Sequence, residues 1–258
     1  METVIETRAE DQAPLANAIQ KTASGPERSR NLSRAEARAA MAAALEPGAD
    51  PVQAALFLVA LRVKRETEEE YQGVLEALRG ATRSAEAQVD DLVDVAEPYD
   101  GFVRNLPVTP FLPAVLAACG LPAVSQGTAT MGPKHGVTHH QVLDAAGAGT
   151  EAGPEEAARR VADPEAGWAY LDQAVFCPGL HALIPLRDRI IKRTCLTTNE
   201  VLLGPVRARK RTFLVTGYVH PGYERTYADL ARYAGFTGGL VVRGAEGGVA
   251  PSLRKEGS

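Results

Sequence analysis

The sequence predicts an α/β protein in two parts, a small N-terminal helical domain and a larger α/β domain with a mainly parallel sheet. Three observations predict it. Capped, amphipathic segments follow one another closely between Ser33 and Leu78. After Asp94, short β-rich runs alternate with helical ones, the pattern of parallel strands joined by crossover helices. The chain has 258 residues, 45% hydrophobic and 23% charged, enough apolar material for two modest cores and too much for wholesale disorder.

Residues 1–30 are polar, carry charges at Glu2, Glu6, Arg8, Glu10 and Asp11, and end near Gly25-Pro26, so they read as a flexible arm without the apolar stretch of a signal peptide. The helical domain is assigned to residues 31–94. Ser33 and Glu36 form a capping box ahead of the Ala-rich run to Leu45. Asp50 caps a second helix with Pro51 at its first position, and Ala54, Ala55, Leu58, Val59 and Leu61 mark its buried face. Thr67 and Glu70 open a third, which carries Tyr71, Val74, Leu75 and Leu78. The α/β domain is assigned to residues 95–258. Its strands are expected at 122–125, 169–176, 212–218 and 239–242, and its helices at 109–119, 138–146, 154–161, 186–203 and 223–234. After Leu240-Val241-Val242 come Gly244, Gly247 and Gly248 with no further helical pattern. The domain is therefore expected to be incomplete, and the chain marginally stable or dependent on a partner.

Charge and composition narrow the function. Twenty-eight Lys and Arg against 32 Asp and Glu give a net charge of -4, which excludes a protein basic throughout. Aromatic residues make up 5%, with Trp168 the single Trp, leaving little for stacking on single-stranded nucleic acid. Cys119, Cys177 and Cys195 sit among apolar neighbours and read as reduced core residues; with no run long enough to span a membrane, a cytoplasmic location is expected. His135, His139 and His140 would offer two zinc ligands on one helix face but no identifiable third, so the helical-surface reading is preferred. Against the acidic background stands a basic stripe from Arg187 to Arg211, with eight cations and only Asp188 and Glu200 as acids. It reads either as a solvated face or as a surface for phosphates.

The segments Leu32-Ser-Arg-Ala-Glu-Ala-Arg-Ala-Ala-Met41 and Pro51-Val-Gln-Ala-Ala-Leu-Phe-Leu-Val-Ala-Leu-Arg-Val-Lys-Arg-Glu-Thr67 resemble the N-terminal helical domain of family 3 glycosyltransferases of the anthranilate phosphoribosyltransferase type. Thinner matches follow at Phe176-Cys-Pro178, Pro185-Leu-Arg187, Arg193-Thr194, Leu203-Gly-Pro205, His220-Pro221 and Val241-Val-Arg-Gly244. The resemblance implies a helical domain facing an α/β domain, with phosphoribosyl pyrophosphate and a small nitrogen acceptor in the cleft between them, and a homodimer formed through the helical domain. It implies transfer of a 5-phosphoribosyl group with loss of pyrophosphate.

Carried over residue by residue, the resemblance implies phosphate contacts at Asp100, Gly101, Asn105 and Thr109. The family's Gly-rich loop is replaced here by Pro98-Tyr-Asp-Gly101, which taken alone is also an ordinary Asp-Gly turn. Lys134, His135 and Gly136 copy the family's Lys-His-Gly triplet seven residues late, either on a loop folded back over the same place or on a plain surface loop. Arg187 falls on the family's acceptor-carboxylate Arg, with His181 a weaker neighbour; no catalytic residue is assigned. No permanently bound cofactor is expected. The family's Asp-Glu pair for Mg²⁺ is replaced by Val249-Ala250, with Glu246 the nearest acid, so metal binding with substrate is expected to be weak or absent. The alternative is an inactive homologue that binds nucleic acid through Arg189, Lys192, Arg193, Arg207, Arg209, Lys210 and Arg211.

Overall fold

The computed structural model describes residues 13–25 and 27–251. Four helices come first: α1 over 13–22, α2 (Arg34–Leu45), α3 (Pro51–Lys64) and α4 (Glu68–Gly80). Then come β1 (Ala85–Ala87), β2 (Asp91–Ala96), α5 (Leu112–Ala118), β3 (Ala123–Gly127), α6 (His139–Ala145), α7 (Pro154–Ala162), β4 (Trp168–Asp172) and α8 (Gln173–Phe176). Three short helices follow, α9 (Pro178–His181), α10 (Ile184–Ile190) and α11 (Cys195–Asn199), and the chain closes with β5 (Val206–Ala208), β6 (Arg211–Tyr218), α12 (Tyr223–Tyr233) and β7 (Gly238–Arg243). Met1–Ala81 and Gly179–Glu200 form one unit, Thr82–Pro178 and Val201–Ser258 the other.

In the helical unit all three expected N-caps are present. Ser33 and Thr67 make reciprocal capping boxes with Glu36 and Glu70, and the Asp50 carboxylate accepts from the N–H groups of Val52 and Gln53. Glu70 does more than cap. Its fully buried carboxylate also accepts from the Leu32 N–H at 2.8 Å and from Lys64 Nζ at 2.8 Å, tying the entry to α2 and the end of α3 to the start of α4. Helices α2 and α4 lie so close that a Cβ on Gly73 would sit 2.3 Å from the Arg34 carbonyl oxygen. The arm expected over 1–30 is corrected where it is described. Residues 13–22 are helical, and Leu15, Ala18 and Thr22, spaced three and four apart, are buried along one face. Residues 1–12 of that expectation lie outside the described residues.

The α/β unit is built on a five-stranded sheet in the order β4-β3-β2-β6-β7, with every neighbouring pair parallel, and a separate parallel pair β1-β5. Val93 pairs with Ala123 on one side and Phe213 on the other, which puts β2 at the centre. The expected boundary after Asp94 therefore falls inside the central strand. The units part at Ala81, and Gly179–Glu200 belongs with the helices. The strand expected over 169–176 stops at Asp172, whose carboxylate caps α8 by accepting from the Ala174 N–H at 3.0 Å. The single helix expected over 186–203 is broken where Ile191 takes a left-handed conformation, φ 63°. Because all strands run parallel, the ends of β2, β3 and β7 deliver their following loops to one edge of the sheet, where open α/β sheets hold ligands.

Gly73→Ala is expected to destabilise the chain by about 2 kcal/mol, because the added methyl must push α2 and α4 apart. Chemical denaturation of the variant beside the parent chain measures this directly.

Candidate functional site

The loop after β2 and the loop after β3 meet backbone to backbone. Phe102 and Val137 exchange N–H···O bonds of 2.9 and 2.8 Å in an antiparallel bridge, and the Gly136 N–H donates to the Asp100 carbonyl at 2.9 Å. Only glycines permit this approach. A Cβ on Gly101, which has φ +73°, would lie 2.6 Å from the Gly136 carbonyl, and one on Gly136 would lie 2.5 Å from the Phe102 nitrogen. The loop that carries Lys134-His135-Gly136 folds back against Asp100-Gly101. Lys134 Nζ lies 3.6 Å from Asp100 Oδ1 and 5.5 Å from the centre of the Phe102 ring.

Beyond Gly101 the backbone turns its amides toward a single point. The N–H groups of Val103, Arg104 and Asn105 donate at 3.1, 2.7 and 3.0 Å, and Asn105 Nδ2 at 3.1 Å, all to the carboxylate of Glu246. Lys134 Nζ reaches the same carboxylate at 3.4 Å. Consecutive amides converging in this way make an anion-binding concavity. Burial alone would raise the Glu246 pKa, but the Val103 and Arg104 amides, Lys134 and Asn105 outweigh it and hold the carboxyl down at about 2.

A second carboxylate, Glu97, stands at the end of β2 and is 2% exposed. It accepts from Thr109 Oγ1 at 2.5 Å, from the Val249 N–H at 2.5 Å and from the ring of His139. Burial would push its pKa up; the His139 and Thr109 bonds and the Val249 amide bring it below the ordinary value. Under this layer Tyr99 donates to Gln126 Oε1 at 2.8 Å, and Gln126 Nε2 donates to both oxygens of Asp94 at 3.1 and 2.8 Å.

The structure thus brings together Asp100, Gly101, Asn105, Thr109, Lys134 and Gly136. His135 stands on the same loop, exposed and with φ 48°. Glu97, His139 and Val249 were not picked out as site residues. His139 had drawn notice only as a zinc candidate, and in the fold it turns to Glu97 while His140 packs edge-on against Tyr170 at 5.7 Å. His181 and Arg187 belong to the other unit. Arg187 is buried, with Nη1 and Nη2 donating to Glu200 at 2.6 and 2.9 Å, so its guanidinium is committed to an internal ion pair.

The residues of the basic stripe are divided between the two units. Arg187, Arg189, Lys192 and Arg193 fall in one unit and Arg207 to Arg211 in the other. Arg209 and Lys210 pair with Asp90, Arg211 forks onto Asp91 at 2.6 Å, and Arg207 stacks 3.9 Å above the Phe236 ring. The two acids that pair with Arg209, Lys210 and Arg211 precede them in the chain by 119 or 120 residues. The oxygens of Glu246 face N–H donors and Lys134, a set that suits an anion and not a cation. Among the described residues no helix is long and apolar enough to cross a membrane.

The helical bundle domain of the glycosyl transferase family matches residues 16–82. The anthranilate phosphoribosyltransferase of Rhodococcus jostii is 31% identical over 84% of this chain and 58% of its own length. The crystal structure of anthranilate phosphoribosyltransferase from Thermus thermophilus superposes with a TM-score of 0.73 at 22% identity, over 93% of this chain and 68% of that one. The Saccharomyces cerevisiae anthranilate phosphoribosyltransferase in complex with PRPP and Mg does so with a TM-score of 0.67 at 17% identity, over 86% and 63%. The fold is that of these structures, and the helical bundle is similar to that of the glycosyl transferase family. More narrowly, the chain is anthranilate phosphoribosyltransferase-like, spanning 58% to 65% of the length of the first curated relatives it matches.

Asp94 gives a pH-dependence. Burial raises its carboxyl from 3.8 to about 7, offset only in part by the Gln126 bond and the charge of Arg207. From pH about 4 to about 7 the folded chain keeps a proton that the unfolded chain has lost, so stability is full below that window and falls as pH rises through it. Asp94→Asn, which keeps an oxygen for Gln126, is expected to flatten that fall and to be more stable than the parent at pH 8, by up to about 4 kcal/mol. Unfolding midpoints of both chains at pH 5 and pH 8 measure the difference.

Proposed function

We propose that this chain is a phosphoribosyltransferase that moves a 5-phosphoribosyl group from phosphoribosyl pyrophosphate to a small nitrogen nucleophile. In this reaction the C1–O bond to pyrophosphate breaks with the electron pair leaving on the phosphate oxygen, a C1–N bond forms, and the nitrogen gives up a proton. The observation that carries the reading is the convergence of the Asp100-Gly101 and Lys134-Gly136 backbones on one amide-lined concavity with a lysine at its rim. Such a cradle suits the developing charge of a leaving pyrophosphate, since fixed amide dipoles need no reorganisation as that charge appears. Arg187 is left out of acceptor recognition because Glu200 holds it, so the acceptor is assigned only as a nitrogen nucleophile. Self-association through the helical unit is part of the proposal, with Val52, Leu56 and Val63 of α3 exposed on its surface.

Calorimetric titration of the whole chain with phosphoribosyl pyrophosphate is expected to give saturable binding, weakened at least tenfold by Lys134→Ala. Anthranilate and other aromatic amines, offered together with it, are expected to include one that drives pyrophosphate release. A parent chain that binds no phosphoribosyl pyrophosphate at millimolar concentration contradicts the reading. Sedimentation should give a dimer that Leu56→Glu dissociates; a monomer at high concentration contradicts the pairing.

A further inference from the structure

The relation between Glu246 and the amides of residues 103–105 suggests more than packing. Five donors from two loops meet one carboxylate, with the side chain of Glu246 10% exposed and that of Lys134 13% exposed. A carboxylate and one face of a phosphate present the same pair of anionic oxygens to such donors. Glu246 reaches them from a short turn that has little else to recommend it. Its backbone is held at φ 53° and ψ 17°, a left-handed conformation that costs a β-carbon residue energy and falls inside a single 3₁₀ turn, Ala245–Gly247. That turn is a small closed hairpin, with the Ala245 N–H donating to the Ala250 carbonyl at 2.8 Å and Gly244 bridging to Pro251.

We propose that Glu246 is an internal stand-in for a phosphate, occupying the amide concavity of residues 103–105 and competing with a phosphorylated ligand for it. The acid nearest the place of the family's metal-holding pair then serves here as a plug and not as a metal ligand. Binding of a phosphate group would require the Glu246 side chain to withdraw its carboxylate, and the affinity of the unmodified chain would be reduced by the work of doing so. This inference rests on the reading of that concavity as the phosphate site, and it is tested separately from turnover.

The probe is inorganic pyrophosphate without added metal, titrated against the full chain and against Glu246→Gln and Glu246→Gly. The glycine variant suits the left-handed backbone and removes the side chain entirely, so it keeps the test valid if the glutamine amide stays in the concavity. Both variants are expected to bind pyrophosphate at least tenfold more tightly than the parent, and in the glycine variant the amide resonances of residues 103–105 are expected to shift on titration. Equal affinity in all three chains overturns the plug while leaving the transferase reading to its own titration with phosphoribosyl pyrophosphate. Tighter binding with shifts confined to other amides also overturns it, because the anion would then sit elsewhere.

Discussion

The carboxylate of Glu97 is the point on which the site depends. It is almost fully buried at the end of the central strand and receives one donor from each of three separate segments: the hydroxyl of Thr109, the ring of His139 and the amide of Val249. Hydrogen bonds to a buried charge are worth about 1.5–3 kcal/mol each, and a donor left unpaired there costs a similar amount. The three contacts are therefore a strong reason for the loop after β2, the entry to α6 and the turn after β7 to stay together. Gly248 is fitted to this arrangement, since a Cβ there would lie 2.7 Å from Glu97 Oε1 and 2.7 Å from the Phe102 ring.

Above this hub the two glycine contacts set the shape of the anion concavity. Gly101 and Gly136 let the backbones touch, and the resulting bridge holds Phe102 so that the next three amides face inward. A family loop built from glycines reaches phosphates through the absence of side chains. Here the amides of residues 103–105 are gathered by a turn and a bridge, with Asn105 and Lys134 adding side-chain donors. The carboxylate of Glu246 points at those amides.

How much of this could be read from the sequence varied with how local the signal was. The caps of α2, α3 and α4 involve residues two or three apart, so Ser33, Asp50 and Thr67 announced them. The central strand β2 was hidden because Asp91 and Asp94 interrupt an otherwise apolar run, and what makes Asp94 tolerable, Gln126, lies 32 residues away. The break at Ile191 was likewise invisible: a β-branched residue in a left-handed conformation gives no composition cue. The ion pairs of Arg209, Lys210 and Arg211 were equally hidden, because their partners Asp90 and Asp91 lie 119 or 120 residues earlier in the chain. Lys134-His135-Gly136 was legible as chemistry and ambiguous as geometry, because only the contact with Asp100-Gly101 decides where the triplet sits.

The claim that one buried carboxylate organises three loops is tested most directly by amide hydrogen exchange on Glu97→Gln, which keeps the volume and removes the charge. The account predicts that protection falls together at Val249, at Gly136 and Val137, and at residues 103–105, while the amides of α2 and α4 keep theirs. Loss confined to Val249, with the other two segments protected as before, would contradict it.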